Sequence, residues 1–354
     1  MFELAKALQE RNHRVWVSCR QDNLLNEKCQ EESIQTIPLE FPPQGQFLKF
    51  IRRIKSIIKD HQIHIVHTNS NYDRTAGALA TISTGAMHIT NVHSFHSLRH
   101  NITHWFRNRF ATDHYIVDGV CVKDLLVQQD GIPASRISVV YLGVSPDEMR
   151  KDPILRERIR REFGFTDKHL VIGNVARLVA FKGQEFSLRA FAEIIPQFKN
   201  ARLVIVGDGE LQEMLTSLAR TLDIEKFVIF TGFRHDLQAL YSVFDLYVHS
   251  SIEGGGETFP FAVLQALAQE LPVIVTRVGD VPVMVEEGVN GFVVPDRNVS
   301  RLVEKLSVLL NDESLRKSMA VKSRERLLRR FTIATMVDTV EQIYLSVLQD
   351  QQKG

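Results

Sequence analysis

Short apolar runs alternate with amphipathic segments throughout the chain. In the first half, runs typical of buried strands are separated by segments with apolar residues three or four apart, which predict helices. The predicted strands are 14–18, 34–37, 63–67, 88–92, 114–117 and 137–141. The predicted helices are an opening helix at 2–8, then 47–59, 73–83, 98–110 and 120–129. This alternation predicts parallel βαβ units and a doubly wound α/β sheet.

A charged segment, 146–168, separates these elements from a second set and is typical of a linker because it contains Pro146 and Pro153. The second set has predicted strands at 170–175, 203–206, 228–230, 246–248 and 272–276, and a buried helix at 261–269. Helical patterns follow at 299–310, 314–329 and 334–348. We therefore expect two α/β domains, 1–145 and 169–330, and a final helix within 331–354.

Composition excludes several classes of protein. The 354 residues are 44% hydrophobic and 24% charged, which is ordinary for a globular protein, and a net charge of +1 gives no sign of nucleic-acid binding. No apolar run approaches the roughly 20 residues of a membrane-spanning helix, and no signal peptide opens the chain. Cys19, Cys29 and Cys121 show no metal-binding spacing and no disulfide framework. We expect a cytoplasmic protein.

A glycine loop, Gly254–Gly256, follows the predicted strand 246–248 and precedes Glu257 and the helix 261–269, with Pro260 expected in its first turn. A strand, glycine loop and buried helix direct free N–H groups at one place, which favours an anion such as a phosphate. Glu257 beside that place would accept hydrogen bonds from sugar hydroxyls. The alternative is an exposed carboxylate stabilised by the helix dipole.

Two cations five residues apart, Arg177 and Lys182, lie on the loop after the predicted strand 170–175. They suit a diphosphate because they can neutralise its charge from two sides, although a pair of surface cations is the alternative. Gly207 and Gly232 end two further strands. Alone they are weak nucleotide signals, since any tight turn between strand and helix uses glycine.

These motifs resemble those of glycosyltransferase family 4, the GT-B group of retaining nucleotide-sugar transferases. The family has Arg-x-x-x-x-Lys-Gly where this chain has 177–183, and Glu-x-Phe-(Gly or Pro) where it has 257–260. The resemblance covers the whole chain, densely over 169–295 and diffusely before 140. It implies two Rossmann-like doubly wound domains facing a cleft, with the C-terminal helix crossing back to the first domain.

The resemblance also implies the chemistry of the site. The donor would be a nucleotide-diphosphate sugar, and the acceptor a glycan, a lipopolysaccharide or a lipid-linked saccharide. No metal or other cofactor is expected, since the chain has no Asp-x-Asp motif. The residues expected at the site are Glu257, Arg177, Lys182 and His93 as catalytic groups, and Gly207, Gly232, Phe233, Thr258, Phe259, Pro260 and Gln265 as nucleotide-binding groups.

The chain departs from the family pattern at two places. Gln265 stands where the family has a second glutamate, so the contact to the ribose would lack charge assistance. Family members also begin with a strand and a glycine-rich loop, whereas this chain opens at the helix 2–8. Either the start has been placed too late or trimmed, or the enzyme is degenerate.

Histidine is concentrated between residues 61 and 104. His93 follows the predicted strand 88–92, at the end of the strand where open α/β sheets bind ligands, and His96 is a rival for that position. His96, His100 and His104 are four residues apart and would share one face of a helix. A zinc site is therefore an alternative to an ordinary helix, although no cysteine and few carboxylates accompany them.

Residues 45–110 are rich in cations, and only Asp60 and Asp73 oppose them. The cations are Lys49, Arg52, Arg53, Lys55, Lys59, Arg74, Arg99, Arg107 and Arg109. In the helix 47–59 they interleave with phenylalanine and isoleucine at helical spacing. Such a helix either lies on an anionic membrane surface or packs on the sheet with its cations in solvent, and both alternatives stay open.

Two other functions share these features. One is a nucleotide-sugar epimerase or phosphorylase on the same two-domain fold, because a fold does not determine a function. The other is a catalytically inactive binding or membrane-scaffolding protein, which Gln265 and the absent first strand suggest.

Overall fold

The computed structural model of the chain describes residues 1–42, 45–93, 95–98 and 101–353. The chain divides into two compact units. Unit 1 comprises Met1–Tyr141 together with Ile333–Gly354, and unit 2 comprises Leu142–Thr332. Each unit has parallel strands connected by helices. The predicted fold class is confirmed for each unit taken by itself: both are Rossmann-like α/β domains.

Unit 1 contains six short strands, each within two residues of its predicted bounds. The strands are β1 (Trp16–Cys19), β2 (Gln35–Pro38), β3 (Ile65–Thr68), β4 (Met87–Val92), β5 (His114–Val117) and β6 (Ile137–Val139). The helices are α1 (Phe2–Glu10), α2 (Leu24–Glu31), α3 (Phe47–Asp60), α4 (Asn71–Thr81), α5 (Ile102–Phe106) and α6 (Val120–Gln128). A π-helical turn, Arg107–Ala111, continues α5.

The strands of unit 1 form two separate parallel sheets. One is the pair β1-β2, and the other has the order β3-β4-β5-β6. Within the part of the chain that the structure describes, no strand pairs with both β1 and β3. The described residues thus place a break in the sheet where the resemblance implies a central strand.

The chain's final helix, α14 (Ile333–Lys353), belongs to unit 1. Its Val337 and Val340 are buried in one apolar cluster with Leu4 and Leu8 of α1 and Ile89 of β4. Burial of such side chains stabilises the unit by about 25 cal/mol for each Å² of apolar surface removed from water. The core of unit 1 is therefore built from both ends of the chain.

Two helical predictions in unit 1 differ from the structure. Helix α2 was not predicted, since only Asn26 and Cys29 of its eight residues are buried and its apolar stripe is weak. The predicted helix 98–110 begins only at Ile102, because the Asn101 side chain accepts a hydrogen bond from the His104 N–H and caps α5 there.

Unit 2 contains the remaining elements. The strands are β7 (Leu170–Val175), β8 (Ala201–Val206), β9 (Val228–Phe230), β10 (Leu246–His249), β11 (Val273–Thr276) and β12 (Gly291–Val294). The helices are α7 (Pro153–Glu162), α8 (Gln184–Ile194), α9 (Gln212–Thr221), α10 (Leu237–Val243), α11 (Phe261–Ala268), α12 (Val299–Asn311) and α13 (Glu313–Arg330). The sheet is parallel with the order β12-β11-β10-β7-β8-β9.

The predicted linker contains a helix. Helix α7 begins at Pro153, and the Asp152 side chain accepts hydrogen bonds from the N–H groups of Ile154 and Leu155. A proline in the first position of a helix costs nothing, so Pro153 marks a helix start here and not a linker. Helix α7 packs against α10 in unit 2.

Candidate active site

The predicted donor residues of unit 2 gather at one edge of its sheet. From β7 the sheet continues to β8 on one side and to β10 on the other, so its strand order reverses between β7 and β10. Ligands of open α/β sheets bind at the carboxyl ends of the strands beside such a reversal. The loops that follow β7 and β10 carry Arg177, Lys182 and Glu257.

The loop after β7 is held by backbone hydrogen bonds to the turn after β8. The Leu178 N–H donates to the Asp208 carbonyl at 2.7 Å, and the buried Gln184 amide donates to the Arg177 carbonyl at 2.9 Å. The Arg177 side chain is exposed and makes no hydrogen bond or ion pair with the residues that the structure describes. A fixed backbone with a free guanidinium can receive an anion without rearranging the loop.

Gly183 brings the loop after β7 against the loop after β10. It ends the turn Ala180–Lys182 with φ +63°, and a β-carbon at this position would lie 2.1 Å from the Ser250 carbonyl oxygen. Only glycine combines this backbone conformation with so close an approach. The contact fixes Lys182 beside the segment that leads to Glu257.

Glu257 is the centre of a buried polar cluster. Its Oε2 atom accepts hydrogen bonds from Lys182 Nζ at 2.5 Å and Ser251 Oγ at 2.6 Å, and lies 3.0 Å from His249 Nε2. Only 8% of the Glu257 side chain is exposed, against 14% for Lys182. The sequence predicted both residues, and the structure brings them into one ion pair.

The cluster keeps Glu257 ionised. Burial acts to raise the pKa of this carboxyl, but the hydrogen bond and charge of His249 and the Lys182 ammonium outweigh it and hold the pKa well below its usual range. A permanent carboxylate is a strong hydrogen-bond acceptor, which is what hydroxyl recognition requires.

Sequence reasoning gave no role to His249 and Ser251. Both are fully buried at the end of β10, and Ser251 Oγ also lies 3.0 Å from His249 Nε2. The available signal was a pair of polar residues, two apart, where an otherwise apolar strand meets the glycine loop. These two side chains orient the carboxylate of Glu257.

The predicted nucleotide residues lie farther along the same edge. Gly207 and Gly232, which end β8 and β9, pair through a hydrogen bond from the Gly207 N–H to the Gly232 carbonyl at 2.9 Å. A β-carbon on Gly207 would lie 2.0 Å from the Ala176 carbonyl oxygen. Phe233 is 63% exposed. An exposed aromatic ring beside glycine backbone suits contact with a flat base.

The start of α11 differs in detail from its prediction. Pro260 is the residue before the helix and not part of its first turn, because its ψ of 121° is extended. The ring of Phe259 is buried against Phe331, with ring centroids 5.5 Å apart, so only its backbone could face a ligand. Thr258 is buried, and Gln265 lies partly exposed on α11.

His93 belongs to unit 1. It follows β4 as predicted, is exposed, and its Nε2 atom lies 3.3 Å from Asn69 Oδ1 while Nδ1 lies 3.7 Å from Asp118 Oδ2. Its rival His96 is exposed on a segment outside helices and strands. The role expected of His93 stays a prediction.

The prediction that His96, His100 and His104 share one face of a helix is wrong. Helix α5 starts after His96, and His100 and Arg99 lie outside the described residues. Within the described ranges, no three histidine, cysteine or carboxylate side chains are arranged to hold a metal ion. None of the described helices is long and apolar enough to cross a membrane.

Two family models match the chain. Residues 1–148 match the model described as Glycosyltransferase Family 4, and residues 156–326 match the model described as Glycosyl transferases group 1. The boundary between the two matches falls close to the start of unit 2.

Two curated relatives are similar over part of their length. N-acetyl-alpha-D-glucosaminyl L-malate synthase of Bacillus anthracis is 28% identical over 197 residues, which are 56% of this chain and 51% of the relative. A GDP-mannose-dependent alpha-(1-6)-phosphatidylinositol monomannoside mannosyltransferase of Mycobacterium tuberculosis is 30% identical over 203 residues, 54% of this chain and 51% of the relative. The chain thus spans about half the length of these relatives.

Two solved structures share the fold over nearly the whole chain. A glycosyltransferase from Rickettsia africae has a TM-score of 0.88 at 21% identity, covering 98% of this chain and 93% of that one. HepE from Anabaena, solved with UDP, has a TM-score of 0.83 at 21% identity, covering 98% and 94%.

Proposed function

Because the chain belongs to the family 4 type of glycosyltransferases, we propose that it is a retaining enzyme that transfers a sugar from a nucleotide-diphosphate sugar to a glycan or lipid-linked acceptor. The observation that carries the proposal is the ion pair of Lys182 and Glu257, with the free guanidinium of Arg177 on the same loop as Lys182. The epimerase and the inactive scaffold are not favoured, since the relatives are glycosyl-transfer enzymes.

Arg177 and Lys182 stabilise the leaving group. Negative charge grows on the diphosphate as the bond between the sugar C1 and the phosphate oxygen breaks. Arg177 and Lys182 stabilise that charge from a rigid loop, in place of a metal ion. HepE, whose fold this chain shares, has also been solved with UDP-glucose, which supports a nucleotide sugar as donor.

Glu257, the anionic partner of Lys182, recognises the donor sugar. Glu257 is held ionised by its buried neighbours, so it can accept hydrogen bonds from hydroxyls of the donor sugar. The acceptor hydroxyl attacks C1 from the side of the leaving group and gives its proton to a phosphate oxygen, so the new bond keeps the configuration of the old one. No protein nucleophile takes part.

The test is a transfer assay with UDP- and GDP-sugars. We expect Arg177→Ala and Lys182→Ala each to lower kcat/KM about a hundredfold, roughly 3 kcal/mol of lost transition-state stabilisation. The matched control is Lys226→Ala, an exposed cation at the amino end of β9. NMR of the product's anomeric proton reports the stereochemistry. Turnover at the wild-type rate in both site variants would refute the proposal.

We further propose that unit 1 makes peripheral contact with an anionic membrane. Helix α3 presents Lys49, Arg52 and Arg53 to solvent beside the exposed Leu48. Helix α4 packs against both α3 and the π-helical turn. Cations next to exposed apolar side chains complement the headgroups and acyl chains of an anionic bilayer.

The π-helical turn and α5 add an aromatic surface to this unit. Ile102 is 81% exposed and Phe110 is 61% exposed. The rings of Trp105 and Phe106 each contact the ring of Phe110, at centroid distances of 5.7 and 5.2 Å. A contiguous exposed apolar patch marks an interaction site, and tryptophan favours the membrane interface.

Vesicle sedimentation tests the membrane contact. We expect binding to phosphatidylglycerol vesicles that salt weakens, that phosphatidylcholine does not support, and that Trp105→Ala with Phe110→Ala lowers about tenfold or more. The control is Met214→Ala, which removes an exposed apolar side chain from unit 2. Equal vesicle binding by the wild-type protein, the Trp105→Ala, Phe110→Ala double variant and the Met214→Ala control would contradict the assignment of this surface.

A further inference from the structure

Two arginines of unit 1 are almost completely buried. Arg74 on α4 is 3% exposed, and Arg107 at the start of the π-helical turn is 4% exposed. Arginine is almost never buried to this extent without a carboxylate partner, because a buried unpaired charge costs several kcal/mol. Among the residues that the structure describes, neither arginine has an acidic oxygen within 4.0 Å.

Neutral groups take the place of an acid around both arginines. Arg74 donates to Thr90 Oγ1 and to the Asn91 carbonyl, both at 3.0 Å. Arg107 donates to Thr75 Oγ1 at 2.9 Å and to Asn108 Oδ1 at 2.8 Å. Hydroxyls and amides satisfy donors but do not neutralise charge.

The acids whose charges act on the two arginines are already engaged by other donors. The Asp130 carboxylate accepts a hydrogen bond from Ser97 Oγ and another from the Leu98 N–H at 2.7 Å. Asp73, whose charge also acts on Arg74, accepts hydrogen bonds from the Asn69 and Ser70 N–H groups, so neither acid forms an ion pair with a buried arginine. Burial and the charge of Arg107 lower the pKa of Arg74 to about 10, so both guanidiniums stay charged near neutral pH and repel each other.

The pair lies near the carboxyl end of β4, at the edge where open α/β sheets bind ligands. Thr90 and Asn91 are near the carboxyl end of β4, and His93 follows them. The Asn91 amide donates to Asn69 Oδ1 at 2.6 Å, which joins the end of β4 to the end of β3. The Nη1 atom of Arg74 has no hydrogen-bond partner among the described residues.

We infer that Arg74 and Arg107 bind an anionic phosphate group of the acceptor substrate, with Arg74 Nη1 as the direct donor. A phosphate would supply the direct anionic partner that neither buried guanidinium has, and a guanidinium matches its oxygens. The inference rests on the proposed transferase function and narrows it to acceptors that carry a phosphate near the sugar that is extended.

The test measures phosphate binding without the donor site. In the Arg177→Ala, Lys182→Ala double variant of the whole chain, the melting temperature is followed as inorganic phosphate is added. We expect phosphate to stabilise this protein, and Arg74→Gln or Arg107→Gln to weaken the apparent affinity about tenfold or more. Arg109→Gln, which removes an exposed charge two residues from Arg107, should leave the affinity unchanged.

If near-ultraviolet circular dichroism shows that the Arg74→Gln variant does not fold, the phosphate affinity is measured with Arg74→Lys. It keeps the charge but loses the planar fork, so the affinity should fall less than with glutamine. If both arginines only hold the sheet edge together, the variants will melt at lower temperature but keep the wild-type phosphate dependence. That result, or no stabilisation by phosphate in the parent, would overturn the inference.

Two probes distinguish the source of the phosphate. Glycerol 3-phosphate represents a soluble phosphoester, and farnesyl diphosphate represents a polyprenyl-linked acceptor. Whichever binds more tightly in an Arg74-dependent way identifies the acceptor class, and failure of both refutes the inference. Donor hydrolysis by the protein with Arg177 and Lys182 intact tests the transferase separately, so the two proposals can fail independently.

Discussion

The residues of the donor site show how much chemistry the sequence reveals. Arg177, Lys182 and Glu257 could be predicted because their types and local spacing already form motifs. The ion pair between Lys182 and Glu257 could not, since 75 residues separate them. His249 and Ser251 were missed for a different reason: they lie only eight and six residues before Glu257, but no motif showed that the glycine loop returns Glu257 to the end of β10.

Gln265 offers a test at the scale of one side chain. If it occupies the ribose position, Gln265→Glu restores a charged acceptor and should keep the nucleotide affinity or tighten it, by up to about tenfold. Isothermal calorimetry with UDP and GDP measures this, and Gln197→Glu, at an exposed position in unit 2, controls for the added charge. A loss of affinity with an intact fold would show that the pocket is built around the amide.

At the scale of elements, apolar runs located the described strands other than β12, because most of these strands are buried or half-buried. The errors arose where local chemistry overrides periodicity. Asp152 and Pro153 start α7 inside a segment that looked like a linker, and Asn101 delays α5. Caps of this kind act through single side chains, so a pattern averaged over a window does not detect them.

Alanine substitutions at two glycines measure how much the close contact between Gly183 and Ser250 contributes to stability. Gly183 and Gly232 have nearly the same backbone, φ +63° and φ +69°, but a β-carbon meets the Ser250 carbonyl only at Gly183. Gly232→Ala should cost about 1 kcal/mol for the left-handed conformation alone. Gly183→Ala should cost roughly 2 kcal/mol more, since backbone must move.

Hydrogen exchange of β7–β12 peptides measures both costs within unit 2 without assuming that the whole chain unfolds in one step. The donor affinity of Gly183→Ala should fall as well, because Lys182 moves with the loop. Equal destabilisation by the two substitutions would mean that the backbone around Ser250 can move away from a β-carbon at position 183 without a cost in free energy.

At the scale of the whole molecule, unit 1 contains three histidines whose surroundings lower their pKa. Burial lowers the pKa of His67 and His114 to about 4 and that of His88 to about 3. They lie on three adjacent strands, β3, β4 and β5. Each is neutral when folded and takes up a proton near pH 6.5 when unfolded, so its contribution is complete above that pH and is lost as the pH falls towards its folded pKa.

We therefore expect acid to destabilise unit 1 first. Between pH 6.5 and pH 5 each histidine should cost about 2 kcal/mol. Both tryptophans, Trp16 and Trp105, lie in unit 1, so the urea midpoint of tryptophan fluorescence reports on that unit. His88→Gln should reduce the dependence on pH. A midpoint that stays constant from pH 7 to pH 5 would contradict this account.

The final helix has a consequence for how the protein is made. Unit 1 needs Val337 and Val340 of α14 against Leu4 and Leu8, yet α14 is synthesised after the whole of unit 2. At a synthesis rate of about 5–20 residues per second, α14 is made tens of seconds after α1. The apolar faces of α1 and its neighbours stay exposed during that time. Unit 2 is synthesised entirely within that interval and can fold first. Synthesis from the amino end thus completes the two units in the reverse of their order along the chain, and the nascent first half is the part that most needs a chaperone.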